Sequence, residues 1–286
     1  MASLSAGVAT WLYVPASRAD ELLPKAVAGA DGVCVDLEDA VHPAKRPAAR
    51  AVLATALRRP QPVPVVVRVN PVGSDDFAAD VAAVGPLLAD GLVQGVRLPK
   101  VESAAEVAAA WAATRTFSSE PHLVPLLESA LGVRHAHEIA DAEGVAGLTL
   151  GESDLRADLG LPRGGADEGL LLARLTVVLA SRAAGLPSPT GSVFPHVSDI
   201  DGLRASCAEL RRLGFHGRSV IHPRQVAVVR EAFTPTGDEL DWATGVVDRA
   251  GGMDDDGVGA TALADGSFVD PAIVRQARLI LDRAAS

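Results

Sequence analysis

The chain has 286 residues, 48% of them hydrophobic but only 3% aromatic, so an ample core must be built mainly from Ala, Val and Leu. Its formal net charge of −10, with no dense Lys/Arg run and few aromatics to interleave with one, argues against nucleic acid as a partner. No apolar stretch approaches bilayer length, and residues 1–9 lack a basic region followed by an apolar core, so the expectation is a cytoplasmic protein with no membrane partner.

Eight short apolar runs, rich in β-branched residues, read as strands: residues 11–14, 32–37, 63–69, 95–98, 122–127, 147–150, 192–194 and 218–221. Between them, residues 44–57, 104–114, 133–141 and 168–184 carry apolar side chains at three- and four-residue spacing, the pattern of amphipathic helices. Alternating strands and helices imply right-handed crossovers and a parallel sheet. Residues 63–69, nearly continuous in Val apart from Pro64, suit a strand buried on both faces. Eight strands give an α/β fold of the TIM (β/α)8 barrel type, for which about 250 residues form one domain. The competitor, an open doubly wound sheet, lacks its glycine-rich turn, because Val14 is followed by Pro15-Ala16-Ser17-Arg18. Cys34, in a predicted strand, and Cys207, in a predicted helix, have no metal or redox spacing and read as small buried apolar residues.

The barrel is assigned to residues 1–232 and a C-terminal helical extension to residues 233–286. Within the extension, Gly251-Gly252-Met253-Asp254-Asp255-Asp256-Gly257 reads as a flexible hinge, and Pro271 opens an amphipathic helix running to Leu281. A hinged element beyond a closed barrel suits a lid; the plainer reading is a helical appendage.

Chemistry in such a barrel sits at the C-terminal ends of the strands, where three charged residues stand out: Arg68, Glu128 and Asp154. Arg68 closes the most apolar strand just before Asn70-Pro71, and its planar fork suits a carboxylate or enolate oxygen. A structural ion pair with Asp36 or Glu38 is compatible with that role. Glu128 and Asp154, on neighbouring strands, supply two carboxylates, which suffice for Mg2+ when water and substrate complete the octahedron, with Mn2+ as the alternative. Zinc is disfavoured because no His or Cys shares these strand ends. Helix capping by the same two residues is the plain alternative. Glu152 is a weaker candidate ligand. Asp36, Glu38 and Asp39 crowd a strand end, with Lys45, Arg46 and Arg50 following to neutralise them. Arg18, Lys25, Lys45 and Arg46 lie near the helices after strands one and two and can greet an anionic ligand. Lys100 reads as a surface or ion-paired lysine rather than a Schiff-base amine, and His222-Pro223 as a shaper of the mouth.

Seven collinear strings, Tyr13-Val14-Pro15, Asp36-Leu37-Glu38-Asp39-Ala40-Val41, Arg68-Val69-Asn70, Leu98-Pro99-Lys100, Leu127-Glu128-Ser129-Ala130, Gly151-Glu152-Ser153-Asp154-Leu155 and Ile221-His222-Pro223-Arg224-Gln225-Val226, together resemble the citrate lyase β-subunit-like family within the HpcH/HpaI aldolase and malyl-CoA lyase superfamily. The resemblance implies a homotrimeric TIM barrel that binds Mg2+ through Glu128 and Asp154. It implies substrate contacts from Arg68, Asn70, Gly151, Glu152 and Ser153, catalytic participation of Arg68, Glu38 and Asp39, and CoA contacts from Arg18, Lys25 and Lys45. Residues 265–271, Asp-Gly-Ser-Phe-Val-Asp-Pro, are similar to that family's C-terminal lid motif, whose last acid, here Asp270, reaches a neighbouring subunit's site. The implied reaction joins or splits a 3-hydroxy-3-carboxyacyl thioester, with acetyl-CoA and pyruvate, glyoxylate or oxaloacetate on the cleaved side. Citramalyl-CoA or malyl-CoA is favoured over a carrier-bound citryl group. One departure is the segment 189–195, Pro-Thr-Gly-Ser-Val-Phe-Pro, where the family commonly has an Asp. The rivals are a citryl lyase subunit, a class II pyruvate aldolase indifferent to CoA, and a barrel that binds a metabolite without turning it over.

Overall fold

The computed structural model describes residues 8–162, 167–256, 261–262 and 268–285. The chain divides into two compact units, one ending at Phe233 and one beginning at Thr234.

In the first unit eight parallel strands close on themselves in sequence order, and the last pairs with the first through Arg218 and Thr10. They are β1 (Thr10–Pro15), β2 (Gly32–Asp36), β3 (Val65–Arg68), β4 (Gly95–Leu98), β5 (Leu123–Leu127), β6 (Thr149–Leu150), β7 (Thr190–Gly191) and β8 (Gly217–Val220). The intervening helices are α1 (Ala19–Val27), α2 (Arg46–Ala56), α3 (Asp75–Ala89), α4 (Ala104–Thr114), α5 (Ala130–Arg134), α6 (Ala136–Ala140), α7 (Glu152–Asp158), α8 (Leu171–Ala183), α9 (Ile200–Arg212) and α10 (Pro223–Phe233). This is the TIM barrel the periodicity predicts. Among the described residues no helix is long and apolar enough to cross a membrane.

Strand side chains alternate between two cores, as the period of two demands. Leu12, Val14, Val33, Val35, Val65, Val67, Val96 and Leu98 pack outward with helix residues such as Leu23, Leu53 and Val107. Trp11, Cys34, Val66 and Val124 make a smaller cluster inside the barrel. Both cysteines are free and buried. The helix predicted over 104–114 starts on a complete capping box, in which the Ser103 hydroxyl and the Glu106 carboxylate each bind the other's backbone N–H.

Three expectations need correction. Strand seven occupies Thr190–Gly191 rather than 192–194. Ser192 is instead tied sideways, its carbonyl accepting from Arg218 Nε at 2.6 Å and its hydroxyl from the Glu152 N–H at 3.0 Å. The helix expected over 133–141 is broken at His135, whose ring nitrogen meets the Glu102 carbonyl at 2.8 Å, leaving the short pair α5 and α6. Basic residues 46 and 50 do not neutralise the acids after β2. Arg46 pairs with Asp76 at 2.7 Å, and Arg50 is held by both Asp76 and Asp80.

The second unit comprises α11 (Gly237–Asp256), the short antiparallel pair β9 (Thr261–Ala262) and β10 (Phe268–Val269), and α12 (Pro271–Ala284). Its own small core joins Ala243, Val246, Val269 and Ala277. The glycine hinge expected over 251–257 is helical through residue 256, since a helix tolerates glycine at about 1 kcal/mol each. Gly257 and the lid-motif residues Asp265, Gly266 and Ser267 lie outside the described residues.

Candidate active site

Inside the mouth of the barrel lies a cavity of about 330 Å³, and its lining includes Asp36, Asp39, Arg68, Glu128, Gly151, Ser153 and Asp154. Strand ends from opposite parts of the sequence thus meet in one place, as parallel barrel closure requires.

Arg68 is the hub of the charge network. Its Nε and Nη2 grip Asp36 as a fork at 2.8 and 2.7 Å, Nη1 stands 2.8 Å from Glu38, and Asp39 follows at 3.6 Å. Its guanidinium carbon lies 4.9 Å from the Tyr13 ring centroid. Burial opposes the charge, but the Asp36 hydrogen bonds outweigh it and keep Arg68 firmly protonated. Asp36 has a second task, accepting the Glu38 and Ala40 N–H groups at 3.0 Å each, so it shapes the loop that carries Glu38 and Asp39.

Glu38 is buried, and Lys100 Nζ approaches it at 2.9 Å. Its contacts with Arg68 and Lys100 are ion pairs by distance, yet neither carboxylate oxygen meets hydrogen-bond geometry. Burial raises the Glu38 pKa against the pull of Arg68. Lys100 is half exposed. Its partial desolvation is outweighed by Glu38, so its pKa rises, which disqualifies it as a neutral amine nucleophile.

Glu128 is placed by two backbone features. Its Oε1 accepts the Lys100 N–H at 2.8 Å, and Lys100 adopts φ 54°, the only left-handed non-glycine backbone among the described residues. On its other side is Gly151, where a Cβ would stand 2.6 Å from Glu128 Cβ and 2.7 Å from Oε2. Burial, then the charges of Glu38 and Asp154, push the Glu128 pKa up to about 8. Asp154 stands exposed in the first turn of α7 and lines the same cavity.

Several predicted residues have other occupations. The Glu152 carboxylate is gripped by Arg174 at 2.7 and 3.0 Å and does not line the cavity, because its position on α7 turns it into the helix layer. Asn70 is fully buried, donating to the Leu37 carbonyl at 3.1 Å and to Asp80 at 2.7 Å, so it ties the loop after β3 to the end of β2. Arg18, at the start of α1, pairs with Glu21 at 2.9 Å, and Lys45 is exposed just before α2. Lys25 sits in the last turn of α1, which runs away from the mouth, so it stands apart from them. In the second unit Asp270 caps α12, its Oδ1 accepting the Ala272 and Ile273 N–H groups at 2.8 and 2.9 Å. His222 Nδ1 accepts the Arg224 N–H at 3.1 Å. Neither it nor His196 lines the cavity.

Sequence reasoning missed the inner lining, among it Tyr13, Thr149, Ser192 and Ser219. Strand parity was the available signal, because inward positions alternate with the Val and Leu facing the helices.

The family model described as HpcH/HpaI aldolase/citrate lyase matches residues 9–223. The chain is 32% identical to the citrate lyase subunit beta of Haemophilus influenzae, covering 96% of each. It is 33% identical to a (3S)-malyl-CoA thioesterase of Cereibacter sphaeroides, covering 96% of this chain and 93% of the relative. Among solved structures, the Mycobacterium tuberculosis protein CitE in complex with magnesium, acetoacetate and coenzyme A superposes with a TM-score of 0.79 at 33% identity, over 99% of this chain and 100% of that one. With matches of this extent along its whole length, the chain belongs to the HpcH/HpaI aldolase/citrate lyase family, as a citrate lyase β-subunit-like member.

Proposed function

We propose that the protein is a Mg2+-dependent carbon–carbon lyase that cleaves or forms a 3-hydroxy-3-carboxyacyl-CoA thioester such as citramalyl-CoA or malyl-CoA, yielding acetyl-CoA and a 2-oxo acid. The observation that carries this reading is the convergence in one cavity of Arg68 with two carboxylates, Glu128 and Asp154, where burial first, and then the charges of Glu38 and Asp154, raise the Glu128 pKa to about 8. Carboxylates that repel one another at a cavity wall are relieved by a divalent cation. Two acids, with no larger cluster of His, Cys, Asp or Glu among the described residues, fit Mg2+, which takes one or two protein carboxylates and leaves room for substrate and water. A relative solved with magnesium, acetoacetate and coenzyme A supports the same choice.

Glu128 and Asp154 would hold the metal, and when bound it supplies Lewis-acid stabilisation of the charge that builds on the 2-oxo acid oxygens. Arg68, stiffened by Asp36 and Glu38, would orient the carboxylate or enolate oxygen. Glu38 and Asp39 serve by fixing Arg68 and Lys100. As the bond between the two reacting carbons breaks, the substrate hydroxyl releases its proton to solvent as it becomes the 2-oxo group, and the acetyl-CoA enolate carbon takes up one proton, a delivery we assign to the protonated Asp270 of a neighbouring chain in a homotrimer. Its Oδ2 takes part in no hydrogen bond among the described residues. Arg18 and Lys45, near the starts of the helices after β1 and β2, suit the phosphates of CoA. Gly151 and Ser153 line the acid-binding wall.

The test is acetyl-CoA release from citramalyl-, malyl- and citryl-CoA, with Mg2+ and with EDTA, for wild type and Asp154→Ala. Metal-dependent release, lost in the variant, is expected; a folded, metal-binding wild type that releases none rejects the reading in favour of a CoA-independent aldolase. The thioesterase relative favours hydrolysis as a second outcome, visible in the same assay as free hydroxy acid.

A further inference from the structure

The mouth of the cavity is acidic, but a cation lies beneath its floor. Arg97, on β4, is fully buried at 1% exposure, beside Trp11, Val66 and Val124 in the barrel interior. An arginine keeps its charge at every accessible pH, and burying it alone costs several kcal/mol. Two other buried guanidiniums meet that cost with carboxylates: Arg68 has Asp36 and Glu38, and Arg174 has Glu152, Asp167 and Glu209. Arg97 has no carboxylate within 4.0 Å among the described residues. Its Nη1 donates only to Tyr13 Oη at 3.0 Å and Ser219 Oγ at 3.3 Å, and its Nε is buried without a partner.

Both of those hydroxyl groups belong to residues that line the cavity. Thr149, a third lining residue, has its hydroxyl buried and unpartnered. Arg218 repeats the arrangement on β8: its Nε donates to the carbonyl of Ser192, also in the lining, and its other polar contacts are Ser206 and Cys207. Two hydroxyls of the inner wall, those of Tyr13 and Ser219, are therefore polarised from behind by a guanidinium that no carboxylate neutralises and that lies over the Trp11 and Tyr13 rings at 5.8 and 5.5 Å. A neutral or methyl-bearing ligand leaves that charge unanswered, whereas an anionic substituent answers it in a low-dielectric site.

We propose that Arg97, acting through Tyr13 and Ser219, is a specificity-determining positioning residue that makes the inner end of the cavity prefer a 2-oxo acid carrying a second negative charge. This rests on the metal-dependent lyase reading above. It shifts the acyl preference within that reading from a methyl-bearing to a carboxylate-bearing product.

Oxaloacetate and pyruvate share the 2-oxo carboxylate and differ in the substituent, so the ratio of their affinities cancels whatever the metal contributes. The experiment is calorimetry of freshly dissolved oxaloacetate and of pyruvate, in saturating Mg2+, on wild type, Tyr13→Phe, Ser219→Ala, Arg97→Lys and Arg97→Met. Wild type should favour oxaloacetate by roughly tenfold or more. The ratio should narrow in Tyr13→Phe and Ser219→Ala, collapse in Arg97→Met and survive in Arg97→Lys. Equal affinities in wild type, or an unchanged ratio in folded Arg97→Met, would overturn the proposal. If Arg97→Met does not fold, an unchanged ratio in both hydroxyl variants does so instead. Binding of neither acid in Mg2+ would remove the lyase reading itself, and this proposal with it.

Discussion

Glu128 shows how a single side chain couples burial to function. Its pKa of about 8 against an ordinary 4.5 means that the folded state holds a proton the unfolded chain has already released. The contribution to metal-free stability is therefore complete below about pH 4.5 and is lost as pH climbs to about 8. In EDTA, the urea midpoint of wild type should fall between pH 5 and pH 8, and Glu128→Gln should flatten that slope. Arg68 makes a different point, because its charge and its shape do separate work. Arg68→Lys retains the cation but loses the fork on Asp36, and the expected cost is about 10²–10³ in kcat, measured as acetyl-CoA release.

The ends of β5 and β6 fit together because one of them carries no side chain. Gly151, the residue after β6, lets Glu128 lie against its backbone, and Gly151→Ala would force a methyl to within 2.7 Å of Oε2. Mg2+ affinity should drop about 10–100-fold, with a stability loss of about 1–3 kcal/mol, read by titration calorimetry and denaturant melts. The turn after β4 supplies the other support by holding Lys100 in a left-handed conformation, so that its N–H points at Glu128. The loop after β3 depends on a buried acid: Asp80 on α3 accepts from the Asn70 backbone and side-chain amides and from Arg50. Asn70 thereby ties down the loop that follows Arg68.

At the scale of the molecule, a barrel with its own core and a C-terminal unit with another raise the question of where Asp270 acts. If the carboxylate of one chain completes the site of another, two inactive variants should rescue each other. Glu128→Gln and Asp270→Asn, each without turnover alone, should regain acetyl-CoA release when co-expressed, because some sites then combine an intact barrel with an intact tail. Asparagine caps a helix as well as aspartate does, so α12 stays folded in Asp270→Asn, which circular dichroism checks. No rescue in a confirmed mixed oligomer would confine Asp270 to capping.

The closed parallel barrel was legible from periodicity, since strands buried on both faces must be apolar and helices between them must be amphipathic. So were Arg68, Glu128 and Asp154, because a charge at the end of a buried strand has few inexpensive places to go except the mouth. Strand seven was missed because two residues, Thr190 and Gly191, are too short a run to carry a period. Among the partners of the charges, the pairing of Arg68 with Asp36 and Glu38 was legible from the neighbouring strand ends, but the pairing of Lys100 with Glu38 was not. Sequence proximity suggested Arg46 and Arg50 for the acids after β2, whereas barrel closure delivers Arg68 and Lys100 instead. The same holds for Arg97, which reads as one more residue in Gly-Val-Arg-Leu-Pro-Lys. Local pattern determines which elements form and which face of each is apolar. Only the tertiary structure decides which charges meet, because Coulomb interactions act through space, and closing the barrel brings strand ends far apart in sequence to within a few ångströms.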